Sequence, residues 1–238
     1  MKQSLDIVLN RYGTLLSSVD EWFERSVRFA GKRVVCGRGC SSCCRGLFDI
    51  TLLDAVYLKE GFDRLPADVR LPILEKAEKR CAHLQSVWPD FSPPYILNLR
   101  SEEEWDALMP EDDETPCPLV GEDGGCRAYR HRPMTCRLHG LPLIDKSGEM
   151  FHDEWCTMNF PGEDPLVLEE IRWEFRKCFQ EELGLFQQCT DVLLGQRIRE
   201  LDTVIPAALL MDYRDFDWTV WWRESSGRIR AAGSQDSC

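Results

Sequence analysis

The sequence predicts a mainly α protein: a single helical domain with irregular cysteine-bearing loops and a small β-hairpin. Apolar residues recur at three- and four-residue steps in several long segments, whereas the cysteines fall between them in Gly-, Pro- and polar-rich stretches. The 238 residues are 43% hydrophobic and include 8 Trp and 11 Phe, enough to fill a sizeable core without disulfide staples. No repeat or long linker divides the chain. An N-terminal amphipathic helix (1–35), a cysteine-rich region (36–156) and a C-terminal helical region with a loose tail (157–238) therefore read as parts of one structural domain.

Leu5, Leu9, Tyr12, Leu16, Val19, Phe23, Val27 and Ala30 make residues 3–30 a long amphipathic helix that Gly31 stops. Thr51 to Asp54 resembles a capping box opening a short helix that Gly61 ends. Residues 67–88 carry Ile73, Leu74, Ala77, Cys81, Leu84 and Trp88 on one face of a helix, interrupted or restarted at Pro72. Residues 89–94 are turn-rich, and Ser101 to Glu104 is a second capping-box signature. Segments 138–144 and 149–155, joined through Asp145 to Gly148, form the hairpin. Residues 165–183 are helical up to Gly184, and a further helical stretch spans 187–211, with Pro206 opening a new helix after Thr203. Tyr213, Phe216, Trp218, Trp221 and Trp222 dock on the core, and the last ten or so residues are loose.

The start of the chain has neither a continuous apolar stretch nor a small-residue cleavage site, so a reducing, cytoplasmic setting is expected. The longest apolar run, Val204 to Met211, contains Pro206 and is far short of a bilayer span, so no membrane helix is expected. A net charge of −12 argues against broad contact with nucleic acid. The distribution of charge says more. Ser101 through Cys126 holds ten Asp or Glu and no Lys or Arg, whereas Arg127 through His139 holds Arg127, Arg130, Arg132 and Arg137 and no acid. Cations beside thiolates lower their pKa and offset their negative charge.

The 12 cysteines sort by context. Cys81 and Cys178 lie on apolar helix faces as small hydrophobes, Cys189 fits either population, and Cys238 sits in the tail. The other eight, Cys36, Cys40, Cys43, Cys44, Cys117, Cys126, Cys136 and Cys156, lie in loops able to wrap an ion and aim amide N–H groups at sulfur. Cys36, Cys40 and Cys43 curl into one concave loop suited to three corners of a [4Fe-4S] cluster. Cys44 is the awkward member, because adjacent side chains in extended backbone diverge; it faces a second site or stays an uncoordinated thiol. The spread of the later cysteines fits the paired knuckles of tetrahedral Zn2+ less well, which ranks a cluster ahead of zinc and disulfides third. Thiol–disulfide exchange has only Cys40-Ser41-Ser42-Cys43 to support it. Arg132 and Arg137 are the candidate cofactor-binding cations: Arg132 fixes a turn before Pro133, and Arg137 hydrogen-bonds cluster sulfur or pairs with an acid of the preceding stretch. His131, His139 and His152 lie close enough in sequence to replace a thiolate or move protons.

Cys36-x3-Cys40-x2-Cys43-Cys44, Pro116-Cys117-Pro118-Leu119, Gly125-Cys126-Arg127-Ala128-Tyr129 and Arg132-Pro133-Met134-Thr135-Cys136-Arg137 together resemble the YkgJ-like family of cysteine-cluster, zinc- or iron-chelating domains. The resemblance covers about residues 36–156. It implies that all eight loop cysteines chelate metal, with Tyr129, Arg132, Pro133 and Arg137 matching the accompanying motif. The three residues between Cys36 and Cys40 depart from the two found in many members. One branch of the family resembles flagellin lysine N-methylases, which links the motif to iron–sulfur chemistry, methyl transfer and a protein substrate.

The Cys36 to Cys40 gap also reproduces the spacing of radical S-adenosylmethionine enzymes. A long helix precedes it, no βαβ rhythm follows, and a Gly-Gly-Glu-like segment is missing, so S-adenosylmethionine ranks low as a cofactor. The expected function is thus a metal centre supporting redox or methyl-transfer chemistry. The alternative is a zinc-stabilised module that recruits a protein partner without catalysis.

Overall fold

The computed structural model describes residues 2–37, 39–110 and 112–233. Among these, eight α-helices and two small two-stranded antiparallel sheets make a mainly α domain with a small hairpin. Helix α1 (Lys2–Ala30) is the spine. Its apolar stripe, with Leu5, Tyr12, Leu16, Val19 and Trp22 all buried, packs along α6 (Phe175–Leu194) and on α5 (Met134–Leu138). Trp22 anchors this contact by donating its indole N–H to the Ile171 carbonyl at 2.7 Å and meeting Trp173 and Phe175 ring to ring. Gly31 takes a left-handed φ of +59°, which stops the helix where the sequence predicts.

Thr51 caps α2 (Leu52–Asp63) by accepting the Asp54 amide at 3.1 Å. Gly61 does not end that helix. It is small because α2 packs on the His131 turn, where a Cβ would fall 2.0 Å from His131 Cγ. Helix α3 (Ala67–Val87) runs through Pro72 without a restart; Pro72 is exposed, so the carbonyl it leaves unbonded meets water. Its inner face, Ile73, Ala77, Cys81 and Leu84, lies over α7 (Ile205–Leu210), with Trp88, Phe91, Leu97 and Trp105 in a second apolar cluster. The short α4 (Glu102–Asp106) starts at Ser101, whose amide donates to Glu104 at 3.2 Å.

The expected hairpin is present but shorter: β2 (Leu143–Ile144) pairs with β3 (Met150–His152). Its backbone also claims residues 172–174, because Trp173 donates to Ile144 and accepts from Lys146. The helix expected over 165–183 is therefore replaced at its start by two 3-10 turns, Pro165–Val167 and Glu169–Ile171, and α6 begins at Phe175. Nor does Gly184 close it. The apolar stripe continues through Leu185, Phe186, Cys189 and Leu193, and the left-handed Gly195 is the stop.

A continuous helix over 187–211 is likewise absent. Residues Asp202–Val204 form a strand, β4, antiparallel to β1 (Asp49–Thr51), with Ile50 opposite Thr203. Asn98 holds this strand, accepting the Asp202 amide at 2.6 Å. Pro206 opens α7 as expected. Tyr213, Trp218 and Trp222 dock on the core, and α8 (Trp218–Gly233) extends into the stretch expected to be loose, whose last five residues, Cys238 among them, lie outside the described residues. No described helix is long and apolar enough to cross a membrane.

Candidate metal centre

Two successive turns carry the first cysteines. The Cys40 amide bonds to the Gly37 carbonyl and the Cys44 amide to the Ser41 carbonyl, each at 3.0 Å. The expectation for Cys44 assumed extended backbone. The backbone there is turned, not extended, and the Cys43 thiol hydrogen-bonds that of Cys44, so neighbouring sulfurs meet rather than diverge. The loop then pairs with a distant segment. Cys117 donates to the Cys44 carbonyl at 2.8 Å, Gly46 donates to Thr115 at 2.9 Å, and Arg45 and Pro116 form an antiparallel bridge.

Cys117 and Cys126 bracket a tight hairpin closed by Arg127 N–H to Leu119 O at 2.8 Å. Each thiol receives the amide N–H two residues on, Leu119 for Cys117 and Ala128 for Cys126. Amides aimed at sulfur are the support that thiolate ligands use, and they arise here because the chain turns immediately after each cysteine. Gly124 lets this hairpin touch the first loop, since a Cβ on it would fall 2.4 Å from the Gly39 carbonyl oxygen. Cys136 projects from α5, and Cys156 follows β3.

Asn159 ties the remaining pieces. This buried side chain accepts the Val35 amide at 3.0 Å and donates to the Gly140 carbonyl at 2.7 Å and to Cys36 Sγ at 3.2 Å. Its own amide donates to the Cys156 carbonyl at 2.8 Å. Sequence reasoning missed Asn159, because a single loop amide three residues beyond Cys156 carries no local signal.

Electrostatic neighbourhood orders the thiols into one patch. Cys36 feels Cys156, Cys40 and Cys43, whereas Cys136 feels Cys117, Cys126 and Cys43, so Cys43 stands between two groups. Burial pushes Cys117 up to about 12 and raises Cys36, Cys126 and Cys136; neighbouring sulfurs raise Cys36, Cys117 and Cys136 further. Cys43 is raised by its hydrogen bond to Cys44 and then by burial. These are the penalties of ionising clustered thiols that a bound cation would offset. Arg132 and Arg137 act in the opposite direction on Cys126, and Arg132 on Cys43.

The arginines are themselves fixed. Both pair with Asp20 of α1, Arg132 at 2.9 Å, and Arg137 also donates to the Arg132 and Arg130 carbonyls. The partner acid therefore comes from the first helix, not from the acidic stretch, whose Asp113 and Glu114 pair instead with Arg80 and Arg45. Asp20 was another residue that sequence reasoning missed, because one acid on the polar face of a long helix carries no local signal. Arg132 also lies over the exposed Tyr129 ring, 3.9 Å from its centre, and Pro133 precedes the first turn of α5. His131 meets the Tyr57 ring at a tilt of 33°, while burial and then His152 lower the pKa of His139.

A buried carboxylate network lies behind Cys136. Asp54 accepts the Tyr12 hydroxyl at 2.7 Å and the Met134 amide at 2.9 Å, and Glu182 lies 3.5 Å from the same hydroxyl. Burial raises both acids, and their proximity raises Glu182 further.

All eleven described cysteines are free thiols, and Cys81, Cys178 and Cys189 are buried core residues. Among the described residues, no group of three or more His, Cys, Asp or Glu side chains is arranged to hold a metal ion. The donor set and its amide support nevertheless fit the chemistry of a thiolate-bound metal: soft donors, inward N–H groups and adjacent fixed cations. Comparison with protein-family models, with curated proteins and with solved structures finds no match to this chain.

Proposed function

We propose that this chain is a metal-binding cysteine-cluster protein whose loop thiols hold an iron–sulfur centre of the [4Fe-4S] type. The observation that carries the reading is the joining of cysteine-bearing loops distant in sequence: a backbone bond ties Cys117 to Cys44, and the Asn159 side chain ties Cys36 to the Gly140 segment beside Cys156. Cys36, Cys40 and Cys43, with Cys156 beside Cys36, would hold one centre; Cys117, Cys126 and Cys136, with Cys43 or Cys44, would complete a second. A bound cluster supplies redox chemistry or, with an open iron, a site for S-adenosylmethionine. The protein's own part is to aim N–H groups at sulfur, set positive charge beside it through Arg132 and Arg137, and bury the inner thiols.

The resemblance to YkgJ-like domains extends this to methyl transfer on a protein substrate in a reducing cytoplasm. Exposed Val35, Tyr129 and Met158 on the cysteine-bearing segments suit contact with a protein surface. The paired N–H to sulfur turns at Cys117 and Cys126 favour a second reading, a zinc-stabilised interaction module. Anaerobic purification followed by iron, sulfide and zinc analysis separates the two. Brown protein with stoichiometric iron and sulfide is expected; colourless protein with stoichiometric zinc supports the module, and a folded protein that takes up neither refutes both.

A further inference from the structure

Helix α3 presents Lys76, Lys79 and Arg80, followed by His83, at steps of three and four, a row whose Cα atoms span about 10 Å of helix. The row faces a cleft of about 400 Å³, within the size range of small-molecule sites. The opposite wall is Gly46, Thr115, Cys117 and three proline rings, Pro116, Pro118 and Pro206. Arg80 is already held by Asp113 and by Thr115 Oγ1 at 3.4 Å. Lys76, Lys79 and His83 have no side-chain ion-pair or hydrogen-bond partner among the described residues, although the chain carries a net charge of −12. Charge of one sign gathered in a concave site of an otherwise acidic protein concentrates anions of matching shape.

We propose that this cleft binds a small polyanion bearing a flat apolar body, of the nucleoside di- or triphosphate class. A single phosphate would engage only part of a 10 Å row, about two helical turns, whereas a chain of phosphates follows it. The proline wall gives a ring an apolar face to lie against. The position beside Cys117 puts this ligand next to the proposed metal centre, but the inference stands without that centre, since no cleft cation is a proposed metal ligand.

Titration calorimetry of the full chain, with metal content measured in each sample, tests it using ADP, pyrophosphate and adenosine. ADP is expected to saturate below about 1 mM and pyrophosphate to bind at least about tenfold more weakly. Adenosine is expected to give no saturable heat. The K76Q/K79Q double variant, altered only at exposed side chains, should bind ADP about tenfold or more weakly with unchanged circular dichroism, compared at equal metal content. Absence of saturable ADP binding, equal ADP affinity in the double variant, or adenosine or pyrophosphate matching ADP would overturn the proposal. Metal analysis on the same samples keeps its failure separate from failure of the metal reading.

Discussion

Cysteine occupies two kinds of place in this chain, and the contrast separates packing from chemistry. In the helical core, Cys178 and Cys189 are pushed up to about 12 chiefly by burial, with apolar side chains around them. In the loops, Cys117 reaches a similar value, yet it receives an amide N–H and feels the charge of Lys76 and of neighbouring sulfurs. Raised pKa values therefore do not distinguish the two populations. The donors aimed at sulfur and the number of other sulfurs nearby do, because a structural thiol needs neither.

The strongest break of this contrast is substitution within each population. Cys136→Ser is expected to abolish metal retention after anaerobic reconstitution, whereas Cys178→Ala should leave metal content intact and lower stability by about 1 kcal/mol through lost packing. Equal metal loss in both variants would erase the division. Next in size is the clamp behind the loops. Asp20→Ala leaves the buried Arg137 guanidinium without its carboxylate and should lower stability by about 3 kcal/mol in urea unfolding. A loss below about 0.5 kcal/mol would show that the arginine is satisfied by backbone carbonyls alone.

Glycines sharpen the comparison between tight and open packing. Gly61→Ala should destabilise by about 1 to 3 kcal/mol, because His131 must move away, while Gly184→Ala, where a Cβ meets nothing within 4 Å, should stabilise by about 0.5 to 1 kcal/mol. The smallest effect concerns pH. Burial raises the folded-state pKa of Glu182, so the folded protein holds a proton that the unfolded chain releases, and this contribution to stability is present in acid and lost as pH rises above the ordinary carboxylate range. Glu182→Gln should therefore gain stability relative to wild type as pH rises toward and above neutrality, and identical pH profiles would remove the buried acid from the account.

Long-range order was the part of the molecule least legible in the sequence. The stripe of α1, the Thr51 and Ser101 starts and the Pro206 start were readable because each depends on residues within one or two turns. The β1 to β4 pairing was not, since Ile50 and Thr203 are opposed only once the whole domain has closed, and Asp202 looks like a helix residue until Asn98 takes its amide. Gly61 and Gly184 misled for one reason. A glycine that serves close packing, or nothing at all, has the same letter as one that ends a helix. At the site, the eight loop cysteines could be separated from Cys81 and Cys178 by context alone, but Asp20 and Asn159, which position the loops, are single polar residues whose roles exist only in three dimensions.

The bond from the Cys117 amide to the Cys44 carbonyl draws together positions separated by the whole of α2, α3 and α4. An ion held as proposed would meet loops already joined to each other by the backbone. Capture would then demand only side-chain rotation and release of protons, and residence time would be set by how fast water or competing thiols pull the ion away.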